Sequence, residues 1–237
     1  MWVWLLIHVM PSLQELGLER MWIAFGQGTS SRWIPVHEIV SQIGPEKTRG
    51  MPFFHAFIGC DVVSAFRGKG KKSAWQTWNV CTEASATFAK LSKQPTRVDE
   101  DDMNILERFV VVMYGRSSEA TCANDARLDL FARKQRSFDA IPPTQAALKE
   151  HVKRSAYQAG CVWSQAIIRQ PEVQSPSDFG WKRFGGRWKI VWTTMPPIAT
   201  GCQELTKCQC QKVCSGRCSC FRCGLSYTTL CRCVCQV

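Results

Sequence analysis

The chain has 237 residues, 14 of them cysteine, and a formal net charge of +11. Hydrophobic residues make up 45% and aromatics 11%, enough for a packed core, which excludes wholesale disorder and allows one to two domains. A basic balance of this size points to an acidic partner, most often nucleic acid.

In chain order, Met1–Met10 is apolar but about half the ~20 residues a membrane span needs, and it lacks the basic flank and cleavage site of a signal peptide. It reads as a buried central strand, with no membrane partner. With no signal, a reducing compartment follows, where clustered cysteines hold metal more often than they pair. A second strand is expected at Met21–Phe25, closed by Gly26 and Gly28. Trp33–His37 leads into a helix-like Glu38–Ile43 stopped by Gly44 and Pro45, and Phe53–Ile58 is an apolar helical turn. Alternation of this kind favours an α/β layer.

From about residue 74 the pattern turns helical. Asp101 and Asp102 can cap a helix over 103–114, with Ile105, Leu106, Phe109, Val110 and Met113 at helical spacing. A second helix is expected over 123–134, and a third from Pro142-Pro143-Thr144 to Gly160. Trp181–Phe184 and Trp188–Trp192 flank Gly185-Gly186 as a β-hairpin. The expected divisions are 1–115, an α/β domain; 116–200, a helical and hairpin extension; and 202–237, a cysteine-built tail.

That tail holds Cys202 and then nine cysteines, Cys208, Cys210, Cys214, Cys218, Cys220, Cys223, Cys231, Cys233 and Cys235, spaced C-x-C-x3-C-x3-C-x-C-x2-C-x7-C-x-C-x-C. Cysteines one residue apart aim both sulfurs at a common centre but close a mutual disulfide poorly. Thiolates suit tetrahedral zinc, and nine sulfurs can serve three ions if about three of them bridge. With almost no apolar core the segment depends on metal to fold, at roughly 10–16 kcal/mol per structural zinc. The tail resembles the tesmin-type CXC domains, and that resemblance implies a zinc cluster that contacts DNA. Tyr227 stands where those domains carry a further cysteine, so either Cys223 or Cys202 takes that role. Lys207, Lys212, Arg217, Arg222 and Arg232 interleave with the ligands against one acid, Glu204. They either follow a phosphate backbone or offset thiolate charge. Lys212, Arg217 and Arg222 are the DNA candidates. The remaining thiols, Cys60, Cys81, Cys122 and Cys161, are scattered.

The second motif is Gly59-Cys60-Asp61 followed by Arg67-Gly68-Lys69-Gly70-Lys71-Lys72. A Gly-x-Gly turn lets the backbone approach a phosphate, and the lysines add charge. Residues 53–78 resemble the flap-endonuclease/XPG-type nucleases, which have a PIN-like fold. There an Asp in a Gly-Ser/Cys-Asp turn binds metal, and a Gly-x-Gly-x-Lys hairpin between helices starts seven residues later. The resemblance implies a PIN-like α/β layer with a helix-hairpin-helix-like turn. It also implies Asp61 as a metal carboxylate and Arg67 to Lys72 as DNA-backbone contacts; the reading of Asp61 as a turn or cap residue stays open. Two-metal hydrolysis needs several carboxylates, yet only Glu15, Glu19, Glu38 and Glu46 precede Asp61. A magnesium-dependent structure-specific nuclease is therefore the alternative, and a binding protein without an intact active site is the main expectation.

Over its whole length the chain is similar to a group of animal proteins spread by mobile elements, through Phe54–Asp61, Ile141–Leu148 with His151, Trp192–Pro196 and the tail. That similarity implies a longer parent whose first part is missing here. The basic turn and the tail make DNA the expected partner, and a DNA partner makes the nucleus the expected location. A purely protein-binding remnant is a third reading. His8, His37, His55 and His151 show no metal spacing, and a packed role is expected for His55. No Ser/His/Asp order appears. Core or hairpin packing is expected for Trp22, Trp163 and Trp192, although tryptophan can stack on bases.

Overall fold

A computed structural model describes residues 3–93, 98–132, 140–172 and 174–195. The chain divides into two compact units, Met1–Thr194 and Met195–Val237. Of the second, only Met195 belongs to the described residues.

The first unit is mixed α/β and mostly helical. Its elements are α1 (Val3–Glu15), β1 (Trp22–Phe25), β2 (Arg32–Pro35), α2 (Val36–Ile58), α3 (Lys71–Val80), α4 (Ala84–Leu91), α5 (Glu100–Tyr114), α6 (Ala123–Ala132), α7 (Gln145–Ala156), β3 (Trp181–Phe184) and β4 (Arg187–Ile190). A π-helical turn, Tyr157–Trp163, extends α7. Both sheets are two-stranded and antiparallel, β1 with β2 and β3 with β4. Among the described residues there is no parallel layer. No helix among them is long and apolar enough to cross a membrane.

The largest departure from expectation is at the start, where the strand read over 1–10 is the helix α1. A short apolar run has no period of its own. Here Ile7 and Met10 enter the core, with Val3 and Trp4 packed beside them, spaced as one helical face against α2. Pro11 lies inside α1 instead of ending it.

The second half of α2 is the centre of the fold. Residues 50–54 and 56–58 are all buried, so the helix is apolar all round and must be covered on every side. Phe53 stacks on Phe57 at 5.4 Å, and Phe88 of α4 meets both rings. Phe109 of α5 reaches Phe57 and Phe88, while Trp78 of α3 lies 4.8 Å from Phe54. Gly50 makes room, since a Cβ there would sit 2.9 Å from Phe88 Cβ. At Gly44 the helix leaves helical geometry (φ 78°), so the expected stop is a kink between 36–43 and 45–58, with proline restarting the second segment.

The later helices follow their caps. Asp99, two to three residues earlier than the expected Asp101 and Asp102, accepts from the Asp102 amide 2.8 Å away, and Asp102 returns the bond in a capping box. Lys90 bridges both carboxylates. Thr144 caps α7. Buried Glu107 of α5 accepts from the Ala123 amide and the Gln145 side chain, tying α5 to α6 and α7. Gly185 (φ 54°) and Gly186 (φ 78°) form the two-residue turn between β3 and β4 as expected.

Phe57 is fully buried among four phenyl rings and the His151 imidazole. We expect Phe57→Ala to lower stability by about 3–5 kcal/mol, read from urea unfolding. A loss below about 1 kcal/mol would mean that the α2 aromatics are not the core.

Candidate nucleic-acid interface

Residues 59–70 connect α2 to α3 and carry the second motif. Gly59 ends α2 at φ 114°, and a Cβ there would lie 2.5 Å from Ala65 Cβ, so the close return of the loop requires glycine. The Cys60 amide donates to the Val63 carbonyl, and the Lys69 amide to that of Phe66, turning the chain with Gly68 at φ 69°. Buried Phe66 anchors the turn, and the Tyr114 hydroxyl donates to the Arg67 carbonyl at 3.1 Å. Burial pushes the Tyr114 hydroxyl up to about 12, so it remains a donor at neutral pH.

Gly70 is the N-cap of α3. The first turn of that helix has no acidic residue and no side-chain cap, and it begins with Lys71 and Lys72. Helix N-termini already carry positive potential and unpaired N–H groups. Placing lysines there is unfavourable for the free helix and favourable with an anion bound. The Lys69 amine lies 5.0 Å over the Tyr114 ring, and Lys72 is exposed. Lys71 bends back to donate to the Gly59 carbonyl at 2.6 Å. Burial pulls its pKa down, opposed by Cys60 and Asp61.

Beside this turn is a cleft of about 820 Å³ lined by Trp4, His55, Trp163 and Trp192 together with Cys60, Asp61, Lys71 and Gln158. His55 stacks on Trp4 at 4.3 Å and meets the edge of Trp163 at 5.6 Å. Burial, then Lys71, pushes its pKa down to about 4. The packed role expected of His55 thus coincides with a place in a cleft wall. Trp163 is in the core as expected, whereas Trp22 and Trp192 stand half exposed.

Chain order concealed one pairing. Ser64, in the cleft wall, lies 2.9 Å from His151 Nδ1, and His151 Nε2 lies 2.7 Å from the Phe57 carbonyl. A carbonyl only accepts, so Nε2 carries the proton and Nδ1 accepts from the Ser64 hydroxyl. Burial pushes the His151 pKa down to about 4, which makes it a weak base. The pairing pins the 59–66 loop to α7.

The structure brings Asp61, Arg67, Gly68, Lys69, Gly70, Lys71 and Lys72 into one loop and helix start. Asp61 is exposed in the cleft wall, and among the described residues no group of three or more His, Cys, Asp or Glu side chains can hold a metal ion. Cys60, Cys81, Cys122 and Cys161 are free thiols. Lys212, Arg217, Arg222 and the nine tail cysteines from Cys208 to Cys235 lie outside the described residues, as does Cys202. No protein-family model, curated protein or solved structure matches the chain.

Three histidines have lowered pKa values, His8 by burial as well as His55 and His151, and they set a pH dependence. Folded His55 and His151 stay neutral to about 4, whereas unfolded histidine takes up a proton near 6.5. The unfolded chain therefore binds more protons between these values. The stabilisation is whole above about pH 6.5 and falls away toward pH 4, with His151 alone responsible for on the order of 2 kcal/mol at pH 5. We expect the urea midpoint to drop between pH 7.5 and pH 5, and to drop less in His151→Gln. Equal slopes in the two proteins would show His151 to be solvated.

Proposed function

We propose that the protein is a nuclear DNA-binding protein of mobile-element origin, using the basic Gly-Lys turn and a zinc-cysteine cluster. The observation that carries this reading is the start of α3. Arg67, Lys69, Lys71 and Lys72 crowd an uncapped helix N-terminus with no acid in its first turn, and a phosphate backbone is the ligand such a site suits. The likeness of residues 53–78 to the flap-endonuclease turn and the PIN-like fold supports it, since that family grips DNA with this hairpin. The tail supports it through its cysteine spacing, which suits three zinc ions at Cys208, Cys210, Cys214, Cys218, Cys220, Cys223, Cys231, Cys233 and Cys235. The interleaved cations there suit the same partner.

Two-metal hydrolysis needs clustered carboxylates, and the described residues gather none around Asp61.

With a labelled duplex of about 20 base pairs, we expect affinity to fall steeply from 50 to 200 mM salt, and Lys69→Glu/Lys72→Glu to weaken it at least about tenfold. No binding at ~50 mM salt would remove the reading. The reduced 237-residue chain should carry about three zinc ions by metal analysis, fewer in Cys220→Ser. A metal-free protein would sink the cluster.

A further inference from the structure

The hairpin β3–β4 has no part in the basic turn, yet it has its own charge pattern. From Trp181 to Trp192 it carries Lys182, Arg183, Arg187 and Lys189 and no acid. Lys182 pairs directly with Lys189 across the strands, and Phe184 with Arg187. Like charges directly opposite destabilise a hairpin, so this face is costly unless an anion covers it. On the same face Phe184 is 70% exposed; Trp188, paired with Arg183, and Trp192 beyond it belong to the opposite face and are 43% and 60% exposed. The Lys189 amine sits 4.5 Å over the Phe184 ring.

This face is held on a rigid support. Gly180 (φ 79°) packs so closely on α7 that a Cβ would lie 2.9 Å from the Glu150 carbonyl oxygen. The Val191 amide donates to the Gly180 carbonyl, and buried Arg154 of α7 donates to the Val191 carbonyl while its guanidinium lies 5.4 Å over Trp192. Ile190 and Trp192 then continue into the cleft that Lys71 also lines. The hairpin, the cleft and the start of α3 are therefore contiguous.

We propose that β3–β4 and the cleft form a second nucleic-acid contact, selective for an unpaired strand. The strand passes over the hairpin edge from one face to the other: Lys182 and Lys189 with the Phe184 ring take it on the first face, and Arg183 with the Trp188 and Trp192 rings take it on the second, toward the cleft. A duplex hides its base faces within its own stack, whereas an unpaired strand offers them to exposed rings. The cleft has the volume for a nucleotide, and Gln158 and Asp61 in its wall supply a donor and acceptors for a base edge. The proposal rests on the DNA-binding reading and adds to it the unpaired strand as ligand.

The test uses the full chain with two fluorescent probes, a mixed-sequence single strand of about 12 nucleotides and its duplex. We expect Lys182→Ala/Lys189→Ala to lose about tenfold in single-strand affinity and Phe184→Ala about fivefold, with duplex affinity changed by less than about twofold. Lys69→Glu/Lys72→Glu should instead lose duplex binding. The double alanine variant should melt no lower than the parent, because it removes opposed like charges. Should it melt lower, Phe184→Ala, an exposed ring, decides alone. Parental single-strand affinity in Phe184→Ala and in a stably folded Lys182→Ala/Lys189→Ala overturns the proposal. So does a parent that binds duplex but not single strands, and that result leaves the DNA-binding reading standing. A parent that binds neither probe removes both.

Discussion

The burial of the second half of α2 is the constraint on which the rest of the unit depends. A helix apolar on every side cannot rest on a surface. It needs neighbours all round, and α1, α4, α7 and the π-helical turn supply them. Phe53, Phe54 and Phe57 each meet rings from other helices, so the central packing is aromatic and directional. Because such rings tolerate little displacement, the helix end at Ile58 is held in place, and with it the point where Gly59 releases the chain.

What emerges there is a short loop under several restraints. Gly59 allows the close pass by Ala65, the Tyr114 hydroxyl holds the Arg67 carbonyl, and Ser64 is tied to His151. The cations from Arg67 to Lys72 therefore stand on a preorganised base, and a ligand that binds them pays little ordering entropy. The neutral His151 that holds the loop also links its stability to pH. Charge and burial thus meet at one place: the aromatic core ends where the basic surface begins.

The hairpin β3–β4 applies the same arrangement at another edge. Arg154, buried in α7, holds the hairpin through the Val191 carbonyl and the Trp192 ring, and the exposed strands carry cations on a fixed frame. Two basic elements far apart in sequence come to border one cleft.

Much of this was legible in the chain. Gly185-Gly186 announced its hairpin, Pro142-Pro143-Thr144 the start of α7, and the helical spacing of Leu106, Phe109, Val110 and Met113 the face that α5 buries. The basic turn was readable because its glycines and lysines are neighbours. These features are local: a turn, a cap or a helical face is decided by a few successive residues. The nature of residues 3–15 was not readable, since ten apolar residues suit a buried strand as well as a buried helix, and packing against α2 decided between them. Nor was the cleft, whose walls come from residues as distant as Trp4, Lys71 and Trp192, or the contact of Ser64 with His151, 87 positions apart. Charges, cysteine spacing and local turns are fixed by neighbouring residues and stand in the chain as written. Which of them share a surface follows from how helices pack around one aromatic segment, and no spacing along the chain encodes that.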